Sequence, residues 1–235
     1  MHITLHPADS RGKAELDWLS TRYSFSFAHW HDPSRMGFGK LRVLNNDTIA
    51  PQSGFPMHSH ENMEIITIVT EGAVTHSDSM GNTDIQIKAG EVQIMSAGTG
   101  VTHAEYNAEN TPLKLFQLWI EPSHLGGTPR YEQHAFSWQD STGITPLVGP
   151  INSDYPLHMQ QDGYLSIANS KADPLQTYTL HNSAHGVYIF VIDGSVTIAG
   201  NTLNTRDAAA LSDTEEISIT HHTQSTLLLV EIPLY

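Results

Sequence analysis

The sequence contains no cysteine. Disulfides, thiolate nucleophiles, iron–sulfur clusters and cysteine-type zinc sites are therefore excluded together. Basic residues are also scarce. Lys and Arg number 11 against 25 Asp and Glu, a formal net charge of −14. The few cations are scattered, whereas a surface that tracks phosphates needs them clustered, so direct nucleic-acid binding is not expected and neither is an anionic membrane surface. No apolar run approaches the roughly 18 residues needed to cross a bilayer. The first residues, MHITLHPADSRGKAELDW, lack the apolar core of a signal peptide. The expectation is a cytoplasmic protein, monomeric by default.

What is present is histidine, 15 in 235 residues, in a chain that is 39% hydrophobic. That is the composition of a globular protein with a proper core. With cysteine absent, any metal site must use imidazole and carboxylate, a donor set that suits Fe(II), Mn, Ni, Co, Cu or Zn. Short segments rich in Val, Ile, Thr and aromatics, among them MEIITIVTEGAVTHSDS, KLFQLWIEP, GVYIFVIDGSVTIAG and STLLLVEIPLY, are separated by Gly, Asn, Asp and Pro. This pattern predicts strands, in barrels or sandwiches. Short helical turns are expected near Lys13–Ser20 and in the Pro122–Tyr131 region.

Residues 66–75 (ITIVTEGAVT) and 188–197 (YIFVIDGSVT) repeat one pattern at an offset of 122, Gly194 minus Gly72. Each copy reads as a hairpin turning at its acidic residue and glycine. Second turns follow at Met80–Asn82 and Ala199–Asn201. The reading is an all-β chain of two similar barrels, 1–125 and 126–235.

In a strand, residues i and i+2 share a face. His58 and His60, in the run HSH, can therefore present two imidazoles to one point, and His103 and Glu105, in HAE, can do the same from a second strand. Two neighbouring strands could supply three nitrogens and a carboxylate, leaving one or two positions open on a metal. Against this stands the ordinary reading that an isolated H-x-H is an accident of a histidine-rich surface.

The pattern from Gly54 to Glu64, G-x-x-x-HSH-x-x-x-E, resembles the first cupin motif, and Gly90–Met95 with Ser96–Gly98, His103 and Asn107 resembles the second. More specifically, YSFSF at 23–27, MGFGKLRV at 36–43, HSHENMEIITIVTEGAVTHSDSMGN at 58–82 and VQIMSAGTGVTHAE at 92–105 are similar to the pirin family. That resemblance implies two tandem cupin (jelly-roll-like) β-barrels with one divalent transition metal, iron first among the candidates, in the N-terminal barrel alone. It implies His58, His60, His103 and Glu105 as ligands. Ser96 replaces the usual cupin proline, and the gap from Gly98 to His103 is longer than the cupin standard. Glu64, where ordinary cupins keep their carboxylate ligand, is accordingly read as supporting rather than ligating.

The resemblance further implies a dioxygenase that opens the heterocyclic ring of a flavonol such as quercetin and releases carbon monoxide, with Glu105 as the catalytic base and a small aromatic substrate and dioxygen as partners. Two alternatives stand beside it. One is a metal-binding regulatory protein acting through protein partners, the other a metal-dependent isomerase or hydrolase, since fold does not fix function. The offset takes His58 to Leu180 and His60 to Asn182, so the second barrel is expected to lack the site. His181, His185, His221 and His222 lie near and are read as structural. Phe55, Met57 and Met95 are candidates to wall an apolar substrate pocket. Trp30, His31 and Asp32 either line a pocket mouth or form a turn.

Overall fold

Several strands of this chain are apolar on both faces, which requires cover on both sides. In β17 (His185–Asp193), Val187, Ile189 and Val191 enter one buried cluster while Tyr188 and Phe190 enter another. In β22 (Ser225–Pro233), Leu227 and Leu229 go one way and Leu228, Val230 and Ile232 the other. The strand period of 2 sends alternate side chains to opposite faces, and four stacked sheets meet the demand.

The computed structural model describes residues 1–138, 141–170 and 175–235, and among them 22 strands and one short 3-10 turn, Ala8–Ser10. A seven-stranded sheet runs β12 (Arg130–Ala135), β9 (Glu91–Ser96), β6 (Glu64–Glu71), β11 (Leu113–Ile120), β4 (Leu41–Ile49), β3 (Leu19–Tyr23) and β2 (Gly12–Glu15). A four-stranded sheet, β5 (Ser53–His60), β10 (Val101–Asn107), β7 (Ala73–Asp78) and β8 (Ile85–Lys88), closes the first barrel. The second half repeats the plan. Its large sheet runs β1 (His2–His6), β20 (Ala208–Ser212), β17, β22, β15 (Tyr164–Ser170), β13 (Gly143–Pro150) and β14 (Leu157–Met159), and its small sheet β16 (Leu175–Thr179), β21 (Glu216–His221), β18 (Ser195–Ile198) and β19 (Asn201–Asn204). The all-β, two-barrel expectation holds.

The two large sheets pack on one another through a shared cluster that includes Leu44, Ile66, Ile68, Phe116, Leu165, Tyr188, Phe190 and Leu228. Each sheet also borrows an edge from the other half. The N-terminal β1 pairs with β20, and β12 pairs with β9. Each large sheet thus ends, on one side, in a strand contributed by the other half of the chain.

Three local expectations are corrected. Lys13–Ser20 is not helical: β2 and β3 pair antiparallel, Ala14 opposite Thr21. In the Pro122–Tyr131 region no helix is assigned, and β12 starts at Arg130. The acidic-Gly pairs are corners rather than hairpins. β6 pairs with β9 and β11, but β7, directly after Gly72, pairs with β8 and β10 in the other sheet. Gly72 (φ 78°) and Gly194 (φ 94°) supply the left-handed backbone that lets one strand leave its sheet and enter the facing one. The second turns do join hairpins, β7 to β8 and β18 to β19. Trp30 belongs to a turn closed by paired backbone bonds with Phe27, its ring lies over Gly12, and Asp32 caps the backbone of Ser34.

Candidate metal centre

The interior of the first barrel is layered. Ile49, Val69, Val74, Ile87, Leu113 and Leu115 plug one end. Ile65, Met95, Ala97 and Val101 line the other, flanked by Trp119 and Tyr131. Between them the alternation of β4, β6, β9, β10 and β11 turns polar side chains inward: Asp47, Thr67, Gln93, His103, Glu105 and Gln117. A buried polar layer costs stability unless its members are partnered, so its hydrogen bonds show what it is built to do.

β5 and β10 run antiparallel with His58 opposite His103. His60 follows two residues on, on the same face. The three rings gather closely, with centroids 4.4 Å apart for His58–His103, 4.9 Å for His58–His60 and 5.0 Å for His60–His103. One ligand atom from each lies within 4.8 Å of the others. His58 Nδ1 lies 2.8 Å from the carbonyl oxygen of Pro56, which can only accept, so Nδ1 carries a proton and donates it there. His60 packs edge-on to Trp119 at 4.9 Å. His103 is 1% exposed and neither ring nitrogen has a partner.

Burial, with His103 and His58 alongside, pushes the His60 imidazole down to about 4. Burial, with His58 and His76 alongside, pushes His103 down to about 3. Both rings are neutral at neutral pH, the form that binds a metal ion. Three converging imidazoles, one of them buried with orphaned nitrogens, fit a transition-metal ion better than they fit a packed core.

Glu105, 1% exposed, stands apart from His58 and His60. A register shift between His103 and Glu105 separates it from β5. Its Oε1 accepts from Thr67 Oγ1 (2.9 Å) and Gln93 Nε2 (2.7 Å), and its Oε2 from Gln117 Nε2 (2.6 Å). A carboxylate oxygen of Glu105 groups within 4.8 Å with His103 and a histidine that the motif reading passed over, His76. His76 sits opposite Glu105 on β7. It was legible in principle, since His76-Ser77-Asp78 has the same period-2 spacing as HSH.

Glu64 faces the opposite way, out of the barrel. Its Oε2 accepts from Ser96 Oγ (2.7 Å) and the backbone N–H of Gln160 (3.2 Å), tying the two halves together. The three pocket-wall candidates divide. Met95 is buried beside the site, Phe55 packs edge-on to Trp18 at 5.1 Å, and Met57 is 56% exposed. Beside the cluster a surface depression of about 470 Å³ is lined by Ser59, His60, Glu61, Ser79, Gly100, Val101 and Thr102. Its size falls in the range of small-molecule sites.

The second barrel has no such centre among the described residues. Its register places Tyr178 opposite Ile217 on β16 and β21, as His58 stands opposite His103. Ile219 opposite Ile198 matches Glu105 opposite His76. Strand pairing thus sets Tyr178, Leu180, Ile217 and Ile219 where the first barrel has His58, His60, His103 and Glu105. All four belong to the apolar core of the second barrel. The simple offset of 122 was two residues out for β16. His181 and His185 instead donate to the buried carboxylate of Glu231, at 2.8 and 3.0 Å.

Known proteins resemble the chain over nearly its whole length. The Pirin family model matches residues 5–120, and the model for the quercetinase C-terminal cupin domain matches 147–232. A protein from Caulobacter vibrioides named pirin-like protein is 41% identical over 231 residues, covering 97% of this chain and 99% of its own. A protein from Escherichia coli K12 named quercetin 2,3-dioxygenase is 42% identical over 232 residues, 98% of this chain and 99% of its own. The crystal structure of the bacterial pirin YhhW from Escherichia coli in complex with nickel(II) matches with a TM-score of 0.93 at 41% identity, over the whole of both chains.

Proposed function

The chain belongs to the pirin family, and from that premise we propose that it is a metal-dependent dioxygenase acting on a flavonol such as quercetin. The observation that carries this is the cluster of His58, His60 and His103, half-exposed on one side and buried on the other, in a chain 42% identical to a protein named quercetin 2,3-dioxygenase. Overall, a flavonol and dioxygen would give a depside and carbon monoxide.

His58, His60 and His103 would hold one divalent transition ion, with Glu105 as the fourth ligand. Iron is the first candidate. An ion such as iron would supply both Lewis acidity and a redox partner for dioxygen when bound, whereas zinc would supply the Lewis acidity alone. The protein's own part is positioning and proton transfer. Trp119 fixes the His60 ring, the Pro56 carbonyl fixes His58, and Thr67, Gln93 and Gln117 fix Glu105. The depression beside His60 takes the flat substrate, with Ser59, Ser79 and Thr102 offering hydrogen bonds to its hydroxyls. Glu105 takes the proton of the substrate's 3-hydroxyl, and to do so it gives up one of its three hydrogen bonds.

Quercetin binding under anaerobic conditions tests the base role. In Glu105→Gln the metal content is measured first. With metal retained, the visible shift of the deprotonated flavonol should be lost or at least tenfold weaker. An unchanged shift contradicts the role.

A further inference from the structure

We propose a second, closed cation position in the same barrel, formed by His76 Nδ1, His103 and the carboxylate of Glu105. His76 is 0% exposed, His103 1% and Glu105 1%. One ligand atom from each lies within 4.8 Å of the others, as in the outer trio. The position rests on two further observations. First, His76 Nε2 lies 2.9 Å from Asp78 Oδ2 and donates to it, and Nδ1 is buried without a hydrogen-bond partner. A histidine that gives one ring proton to a carboxylate and turns the other nitrogen to a cation is the usual arrangement behind a metal ligand. Second, Asp78 is itself fixed by the backbone N–H groups of Met80 (2.8 Å) and Asn82 (3.2 Å) and by Asn82 Nδ2 (2.7 Å), and Tyr131 stacks on the His76 ring at 4.9 Å. The ring is held in one orientation, and its Nδ1 has no hydrogen-bond partner among the described residues.

Both positions use His103. A neutral imidazole has one ring lone pair, so one ion occupies one position at a time. The outer position has half-exposed histidines on one side and can meet a substrate. The inner position is enclosed, like sites that store or fix an ion rather than react through it. The inner position shares two residues with the outer one but does not depend on the dioxygenase reading.

Nickel(II) binding to the full chain, followed by metal analysis after dialysis and by titration, tests this. The wild type should bind one ion. His58→Ala/His60→Ala, which removes only half-exposed outer ligands, should still bind one ion, about 10–100-fold more weakly. Adding His76→Ala or Asp78→Asn to that double variant should remove the binding or weaken it at least tenfold further. A folded double variant that binds no nickel, while the wild type binds one, overturns the inner position and leaves the outer one standing. Equal binding by the double and triple variants overturns it too. Anomalous diffraction from crystals of the His58→Ala/His60→Ala variant grown with nickel locates the ion directly. A peak beside His76 supports the inner position, and nickel-saturated crystals with no peak there overturn it.

Discussion

Asp47 shows how much the polar layer of the first barrel costs. It is 3% exposed and accepts a hydrogen bond from Thr21. Burial, with the charge of Glu105 added, pushes its carboxyl up from 3.8 to about 7 despite the opposing Thr21 bond and Arg11. Between about pH 4 and pH 7 the folded protein therefore keeps the Asp47 proton while the unfolded chain releases it. Stability from this group is present at the acid end of that window and is lost as pH rises through it, at roughly 1.4 kcal/mol per unit. In metal-free protein, Asp47→Asn keeps the acceptor for Thr21 and removes the titration. It should be a few kcal/mol more stable than wild type at pH 8, with the difference shrinking toward pH 4. Urea unfolding at several pH values measures this, and a difference independent of pH would contradict it. The same layer explains what the motifs missed. Gln93, Gln117, Thr67 and His76 matter through where alternation points them, and that depends on knowing which strands neighbour β10. The pairs in HSH and HAE needed only the strand period itself.

At the scale of elements, the corner glycines carry the barrel topology. A Cβ on Gly194 would meet Gln224 O at 2.5 Å and Ser225 Cβ at 2.5 Å, in addition to the strain of φ 94°. Gly81, in the β7–β8 turn, has φ 105° but nothing within 4 Å of a Cβ. Gly81→Ala therefore isolates the backbone term, about 1–3 kcal/mol, and Gly194→Ala adds the clash. Thermal unfolding should rank Gly194→Ala clearly below Gly81→Ala, and equal losses would show that the corner tolerates a side chain. These corners also explain a misreading. An acidic residue and glycine between two β segments looks the same in sequence whether the chain folds back in one sheet or crosses to the next. Only the partner strands, β10 and β11 against β7 and β6, distinguish the two. The expected helical turns failed for a related reason. Residues 13–20 have no strong strand signal of their own; β3 pairs with β4, and β2 pairs with β3 in turn.

At the scale of the molecule, the strand-like segments and the repeated pattern were enough for an all-β chain with two barrels, while a metal centre in one of them came from the H-x-H and H-x-E pairs together with the resemblance to pirins. The exchange of edge strands was not legible, because β1 (HITLH) carries nothing that names β20 as its partner 200 residues away. Nor did a constant offset describe the duplication. The corner glycines keep it, but the register of β16 and β21 shifts it and brings Tyr178, Leu180, Ile217 and Ile219 onto the ligand positions. That replacement accounts for the asymmetry of the molecule. One barrel is filled with an apolar core and supports the shared interface, and the other holds a polar layer and three imidazoles open to a ligand. On the proposed reading, the polar layer and its imidazoles serve metal-dependent oxygen chemistry. Oxygen consumption and carbon monoxide release, measured together with quercetin on protein of known metal content, test it most directly. One carbon monoxide per oxygen consumed is expected, in proportion to bound metal, with loss of both in His58→Ala/His60→Ala. Fully metal-loaded protein, iron included, that consumes no oxygen with any flavonol would contradict it.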